Sequence, residues 1–176
     1  MFSPISIIIP NFEVKKILVM KKEQSFMKNL ILWENLVARN KVPLINAIFY
    51  PSGDLLVIDS TYIDDKFNLK IICKSSIESF SNFNDIEAVS NFDVLYELEK
   101  NGYCVKCSEG SYESDGIIYV IDSMKQKLLW VIFLTNSDPF GRVEIDSENI
   151  YAHSTNGFKL IISIKSPENL IVENQI

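Results

Sequence analysis

The only closely spaced pair of reactive side chains is Cys104-Val105-Lys106-Cys107. Two thiols at this spacing exchange electrons when the first sits at a helix N-terminus, where its pKa falls. Here the pair follows a predicted helix end and enters a predicted strand, which is the wrong setting. With Cys73 and His153 the pair could complete a Cys3His zinc site. Four scattered positions make a weak zinc pattern, so small, half-buried strand cysteines are the expectation. His153, the single histidine, could act as a general base beside Ser154 or Thr155. Neighbours on a strand point to opposite faces, however, and a surface or hydrogen-bonded histidine is expected instead. Six isolated glycines form no phosphate-binding, dinucleotide or calcium loop. A carboxylate pair drawn from distant strands would leave no pattern among the 23 acidic residues. The expectation is a protein without catalytic activity, cofactor or metal.

Charge is more informative. The chain of 176 residues carries a net charge of −6. Residues 1–50 hold +4, residues 51–124 hold −9 and residues 125–176 hold −1. Nucleic acid is a poor partner for such a chain, because phosphate binding needs a basic face. The acidic excess peaks between residues 85 and 115, where tyrosines interleave with the acids. Asp93 and Glu97, four apart, would share a face of a predicted helix. With Glu87, Glu99, Glu109, Tyr112, Glu113 and Asp115 they make a candidate docking surface for a basic partner.

These side chains need elements to position them. Apolar residues are 47% of the chain and charged residues 23%, enough for one globular domain over residues 1–176. Residues 12–20 read as a strand. A helix follows from Ser25, with Phe26, Leu30, Trp33 and Val37 on one stripe and Met27, Ile31, Leu32 and Leu36 widening it; Pro43 closes it. Strands are expected at 44–50, 55–62 and 67–73, separated by turns at Pro51-Ser-Gly-Asp54 and Asp64-Asp65-Lys66. Residues 75–84 read as a polar loop. A second helix is expected over 85–100, with Ala88, Phe92 and Leu95 inward and Asn101-Gly102 as its stop. Strands then fill 103–107, 117–122, 128–135, 142–145, 150–154 and 158–164, with Asn156-Gly157 as the clearest hairpin turn. Beyond Pro167 the tail is expected to fray or pair weakly. The fold class implied is α+β, a mainly antiparallel sheet with two principal helices.

An offset of 63 residues brings eight identities into line, among them Val57-Ile-Asp-Ser60 with Val120-Ile-Asp-Ser123. Two α-β-β-β units, 25–73 and 85–136, followed by strands within 142–165, would explain it. Asp59 and Asp122 would then be strand-end residues that cap turns.

Three cysteines are too few and too odd for a disulfide framework. The N-terminus lacks the basic start of a signal peptide, and no apolar run approaches the ~20 residues of a membrane helix. A cytoplasmic protein without membrane attachment, monomeric or homodimeric, is expected. A small, acidic, motif-poor chain whose basic residues are nearly all lysine (only Arg39 and Arg142 are arginines) resembles the immunity proteins of bacterial toxin–immunity systems of the contact-dependent growth inhibition type. The resemblance is one of class and composition, carried by no diagnostic motif. It implies a toxin inhibitor that covers a cognate toxin, a basic nuclease, through protein–protein contact. An alternative resemblance is to acidic secretion chaperones or dimeric adaptors, with the broad apolar helix as the dimer face. Those chaperones end in a helix, whereas this chain ends in predicted strands.

Overall fold

A computed structural model describes residues 36, 39–84 and 88–174. Its elements, in chain order, are β1 (Lys41–Pro43), β2 (Ala47–Phe49), β3 (Asp54–Ile63), β4 (Lys66–Ser76), α1 (Ile77–Phe83), β5 (Val89–Asn91), β6 (Asp93–Lys100), β7 (Tyr103–Glu109), β8 (Gly116–Asp122), β9 (Lys127–Leu134), β10 (Phe140–Ile145), β11 (Asn149–Ser154), β12 (Phe158–Ser163) and β13 (Leu170–Asn174). Seven strands form an antiparallel sheet in the order β4-β3-β2-β9-β8-β7-β6. β10 to β13 form a four-stranded antiparallel meander, and β1 pairs with β5 in a short ribbon.

Alternation along the strands decides how these layers pack. On β12, Phe158, Leu160 and Ile162 are buried while Lys159, Ile161 and Ser163 are half-buried on the outer face. Their inner face meets Ile118, Val120, Trp130 and Ile132 of the larger sheet, giving a sandwich with its main core between the sheets. Inside it the Phe67 and Phe158 rings stack at 4.1 Å, and Phe140 meets Phe158 edge-on. The Trp130 indole N–H reaches across to the Ile164 carbonyl at 2.8 Å, satisfying a buried donor. A second core lies on the other face of the large sheet, where Phe49, Leu55, Val131 and Phe133 meet Val42 of β1, Ile77 of α1 and Phe92. Burying each such side chain contributes about 1.5–3 kcal/mol. The ion pairs among the described residues each have a well-exposed partner, at about 0–1 kcal/mol apiece. Apolar packing therefore holds the fold.

The architecture corrects the α+β expectation: the described residues are nearly all β, with one short helix. The expected helix over 85–100 is instead β5 and β6; residues 85–87 lie outside the described residues. Ala88, Phe92 and Leu95 have helical spacing, yet Tyr96-Glu97-Leu98-Glu99 alternates, and pairing with β7 settles the matter. Asn101 and Gly102 have φ of 56° and 80°, the double left-handed pair of a tight hairpin turn, so this dipeptide joins two strands rather than ending a helix. Residues 75–84, expected as a loop, hold α1, whose N-cap Ser76 accepts the Ser79 N–H at 3.1 Å. The tail after Pro167, expected to fray, pairs along β12 as β13. Asn174 then closes the corner of the sandwich: its side-chain amide accepts from the Phe67 N–H and donates to the Phe67 carbonyl, as a neighbouring strand would. The strand over 12–20 and most of the first helix lie outside the described residues; of that helix Leu36 is helical, and Lys41–Pro43 is strand β1. The two α-β-β-β units do not stand, because the described part of the second begins with the strands β5 and β6. What the 63-residue offset aligns is the β3–β4 hairpin with the β8–β9 hairpin.

Candidate functional site

The seven-stranded sheet presents two outer strands among the described residues, β4 and β6. β6 carries the candidate acids. A bulge lies between Val94 and Tyr96, leaving Leu95 without a partner on β7. It has a direct consequence for the side chains. Asp93 stands opposite Glu109, and Glu97 stands opposite Lys106, three positions apart on β7. Asp93 and Glu97 therefore lie on opposite faces of the sheet, not on one shared face as a helix would have placed them.

Glu97 is also spoken for. Its carboxylate sits 3.0 Å from the Lys106 ammonium and accepts a hydrogen bond from the Cys104 thiol at 3.3 Å. Lys106, and then Cys104, hold its pKa below the ordinary carboxylate value. The same contact raises the Lys106 pKa. Asp115 is withdrawn too. It is buried, 1% exposed, and its carboxyl accepts from the Ser90 hydroxyl at 3.4 Å. Ser90 in turn accepts the Ser111 N–H, and the Ser111 hydroxyl accepts the Asn91 N–H. Asp115 thus ties the 110–115 loop to β5 instead of facing a partner. Glu87 lies outside the described residues.

Besides the paired Glu97, what stays exposed is Asp93, Glu99, Glu109, Glu113 and Tyr112. None of the four acids forms an ion pair with a described residue. Leu95, expected inward on a helix, is exposed by 48%, between Tyr96 at 36% and Val94 at 42%, which the sequence alone did not single out. Alternation of β-branched and aromatic residues with acids was their available signal, and the helical reading masked it.

Burial raises the pKa of Asp115 above the ordinary 3.8, outweighing the Tyr112 backbone and Ser90 hydroxyl bonds that lower it. An acid whose folded pKa is raised contributes stability below its unfolded pKa and loses it as pH rises through the folded value. Asp115→Asn removes the ionisation and keeps an acceptor for Ser90. Its melting temperature is expected to match or exceed the parent's at pH 7, with the advantage vanishing as pH falls below 4. A variant less stable than the parent at pH 7 and equal to it at pH 3 would reverse the assigned role.

The remaining chemical candidates are dispersed. Cys107 is in the main core and Cys104 on the opposite face of β7, as their spacing of three requires in a strand. Burial pushes the Cys107 thiol up to about 12 and, together with Glu97, the Cys104 thiol up to about 11. Cys73 is exposed on β4, across four intervening strands, and His153 is on the other sheet. No three of the described His, Cys, Asp and Glu residues come together as metal ligands. His153 Nε2 lies 3.3 Å from Glu144, which also holds Arg142 at 2.8 Å; Ser154 points the other way, into the core, to the Ser137 carbonyl. Asp122 does cap a turn, accepting the N–H groups of Met124 and Lys125. Asp59 does not: it lies within β3, opposite Lys70. Two strands separate it from the strand of Asp122.

Among the described residues no helix is long and apolar enough to cross a membrane. No protein-family model matches this chain, and no curated protein matches it.

Proposed function

We propose that the protein is a cytoplasmic immunity protein of the contact-dependent growth inhibition type, which neutralises a cognate basic toxin, a nuclease, by docking it against β6 and the 109–113 segment. One observation carries this reading. Asp93 and Glu109 are directly opposed across β6 and β7, exposed, and without an ion pair to any described residue. Like charges held opposite each other weaken a strand pair, so their arrangement gains nothing for the fold. It does suit a partner that brings the missing cations. Tyr96, on the same face as Asp93 and Glu109, and Tyr112 add rigid contact area, and Leu95 is exposed at the bulge beside them. Carboxylates so placed stand where nucleic-acid phosphates would bind a nuclease, blocking its substrate groove.

The test is co-expression with the adjacent reading frame. Growth arrest without this protein, rescue with it, and a complex that weakens with salt are expected. Reversal of Asp93 and Glu109 to Lys should weaken that complex by roughly tenfold or more, acting mostly through the encounter rate. Reversing Glu97 would be uninformative, since it would set a lysine against Lys106. A harmless neighbour rules out the immunity role. Rescue with an affinity untouched by the double reversal places the interface elsewhere.

A further inference from the structure

The two sheets part on one side. Asn174 joins β13 to β4 at Phe67, but toward Ser76 the β3–β4 hairpin runs on without a partner from the smaller sheet among the described residues. The gap is a groove made of two adjoining cavities, about 530 Å3 and about 180 Å3, that share Glu168. Its apolar wall is Leu55, Leu56, Ile58, Leu69 and Ile71 from β3 and β4, with Leu170 of β13 across from them. Lys74 and Lys165 line the larger cavity.

The polar groups of the larger cavity are unequally satisfied. Glu168 accepts the Tyr50 hydroxyl at 3.1 Å, and burial together with Glu168 raises the Tyr50 pKa, keeping that hydroxyl a donor. Asp54 accepts from Ser52 at 2.7 Å. Lys74 and Lys165 form no ion pair with a described residue. The carboxylates Asp54 and Glu168 thus have donors of their own, and neither ammonium group is within ion-pair distance of a described carboxylate. A volume of several hundred Å3 with an apolar wall on one side and charged groups on the other matches an amphipathic small molecule rather than a protein segment.

We propose that this groove binds a small amphipathic carboxylate, its hydrocarbon body along Leu56, Ile58 and Ile71 and its anionic head between Lys74 and Lys165. The site is independent of the acidic edge and of the immunity role. Decanoate, below its micelle concentration, is the probe. Titration into the full-length protein, followed by the backbone amide resonances, should shift Leu56, Ile71 and Glu168 saturably and leave the outer face of β10–β12 unmoved. Decanol should bind at least roughly tenfold more weakly, because it brings no charge for the lysines. Lys74→Glu with Lys165→Glu, two exposed positions whose effect on folding a melting curve checks, should weaken decanoate by a similar factor. Decanol binding as well as decanoate, or an unchanged decanoate affinity in the folded double variant, would refute the anion site. Shifts spread over the whole surface, or none, would refute the groove as a binding site.

Discussion

Replacing Phe158 with alanine is expected to lower the free energy of unfolding by about 3–5 kcal/mol, read as a shift in the urea midpoint at unchanged slope. Phe158 is 1% exposed and occupies the centre of the inter-sheet core. It stacks on Phe67 of the larger sheet at 15° and meets Phe140 at 89°, so one ring ties three strands together. Truncation removes the transfer free energy of the ring and leaves a cavity whose walls belong to different sheets. Neither sheet can collapse inward without breaking its own register, so little of the loss is recovered. A domain of this size has only about 5–15 kcal/mol in all, and the variant should stand near the threshold of folding. A cost below about 1 kcal/mol would mean that the two sheets are not pressed together at this ring.

Gly116→Ala should be the other damaging change, at about 1–3 kcal/mol or somewhat more. Gly116 opens β8 and pairs with Glu109 on one side and Leu134 on the other. A methyl group there would lie 2.5 Å from the Asp138 carbonyl oxygen and 2.7 Å from the Phe140 ring, and closer still to the Ser137 hydroxyl. The hydroxyl could turn aside. The carbonyl and the ring cannot, because the Asp138 N–H is bound to the Ser114 carbonyl and Phe140 is fully buried. The damage should therefore appear at the junction where β9 crosses to the smaller sheet. Amide exchange would show it as faster opening of residues 137–143 than of β3 and β4. Equal stability of parent and variant would mean that the strand end has room the geometry does not show.

Much of this fold is written in local pattern. The β3–β4 hairpin follows from Phe67, Leu69 and Ile71 alternating with polar residues and from Asp64-Asp65, whose φ values are both positive. Asn156-Gly157 marks the β11–β12 hairpin as it should, with Gly157 at φ 83°. The failures have separate causes. β6 has a bulge at Leu95, which shifts the alternation by one residue and leaves a stretch that fits a helix as well as a strand. β13 exposes Ile171 and Glu173, so nothing in its composition announces a strand until β12 is beside it. The acidic surface was legible as a cluster, and its exposed members stand on β6, β7 and the loop that follows. That Asp115 is buried under Ser90, and that Glu97 faces Lys106, depends on pairings between distant segments. Composition does not carry such facts.

The short strand β2 has a kinetic consequence. Its three residues link two pieces that are each built from neighbours in the chain: the β3–β4 hairpin, and the meander from β6 to β9. Ile48 must find Ile132, more than eighty residues away, before the large sheet exists as one object. Until then both pieces expose an unpaired inner edge. The entropy of closing so long a loop comes due before the central contacts reward it. During synthesis β2 emerges early and waits for β9, the seventh strand to follow it. Folding of this chain is thus governed by its slowest search rather than by its fastest hairpins, and the interval of waiting is when the nascent protein is most open to association with other chains.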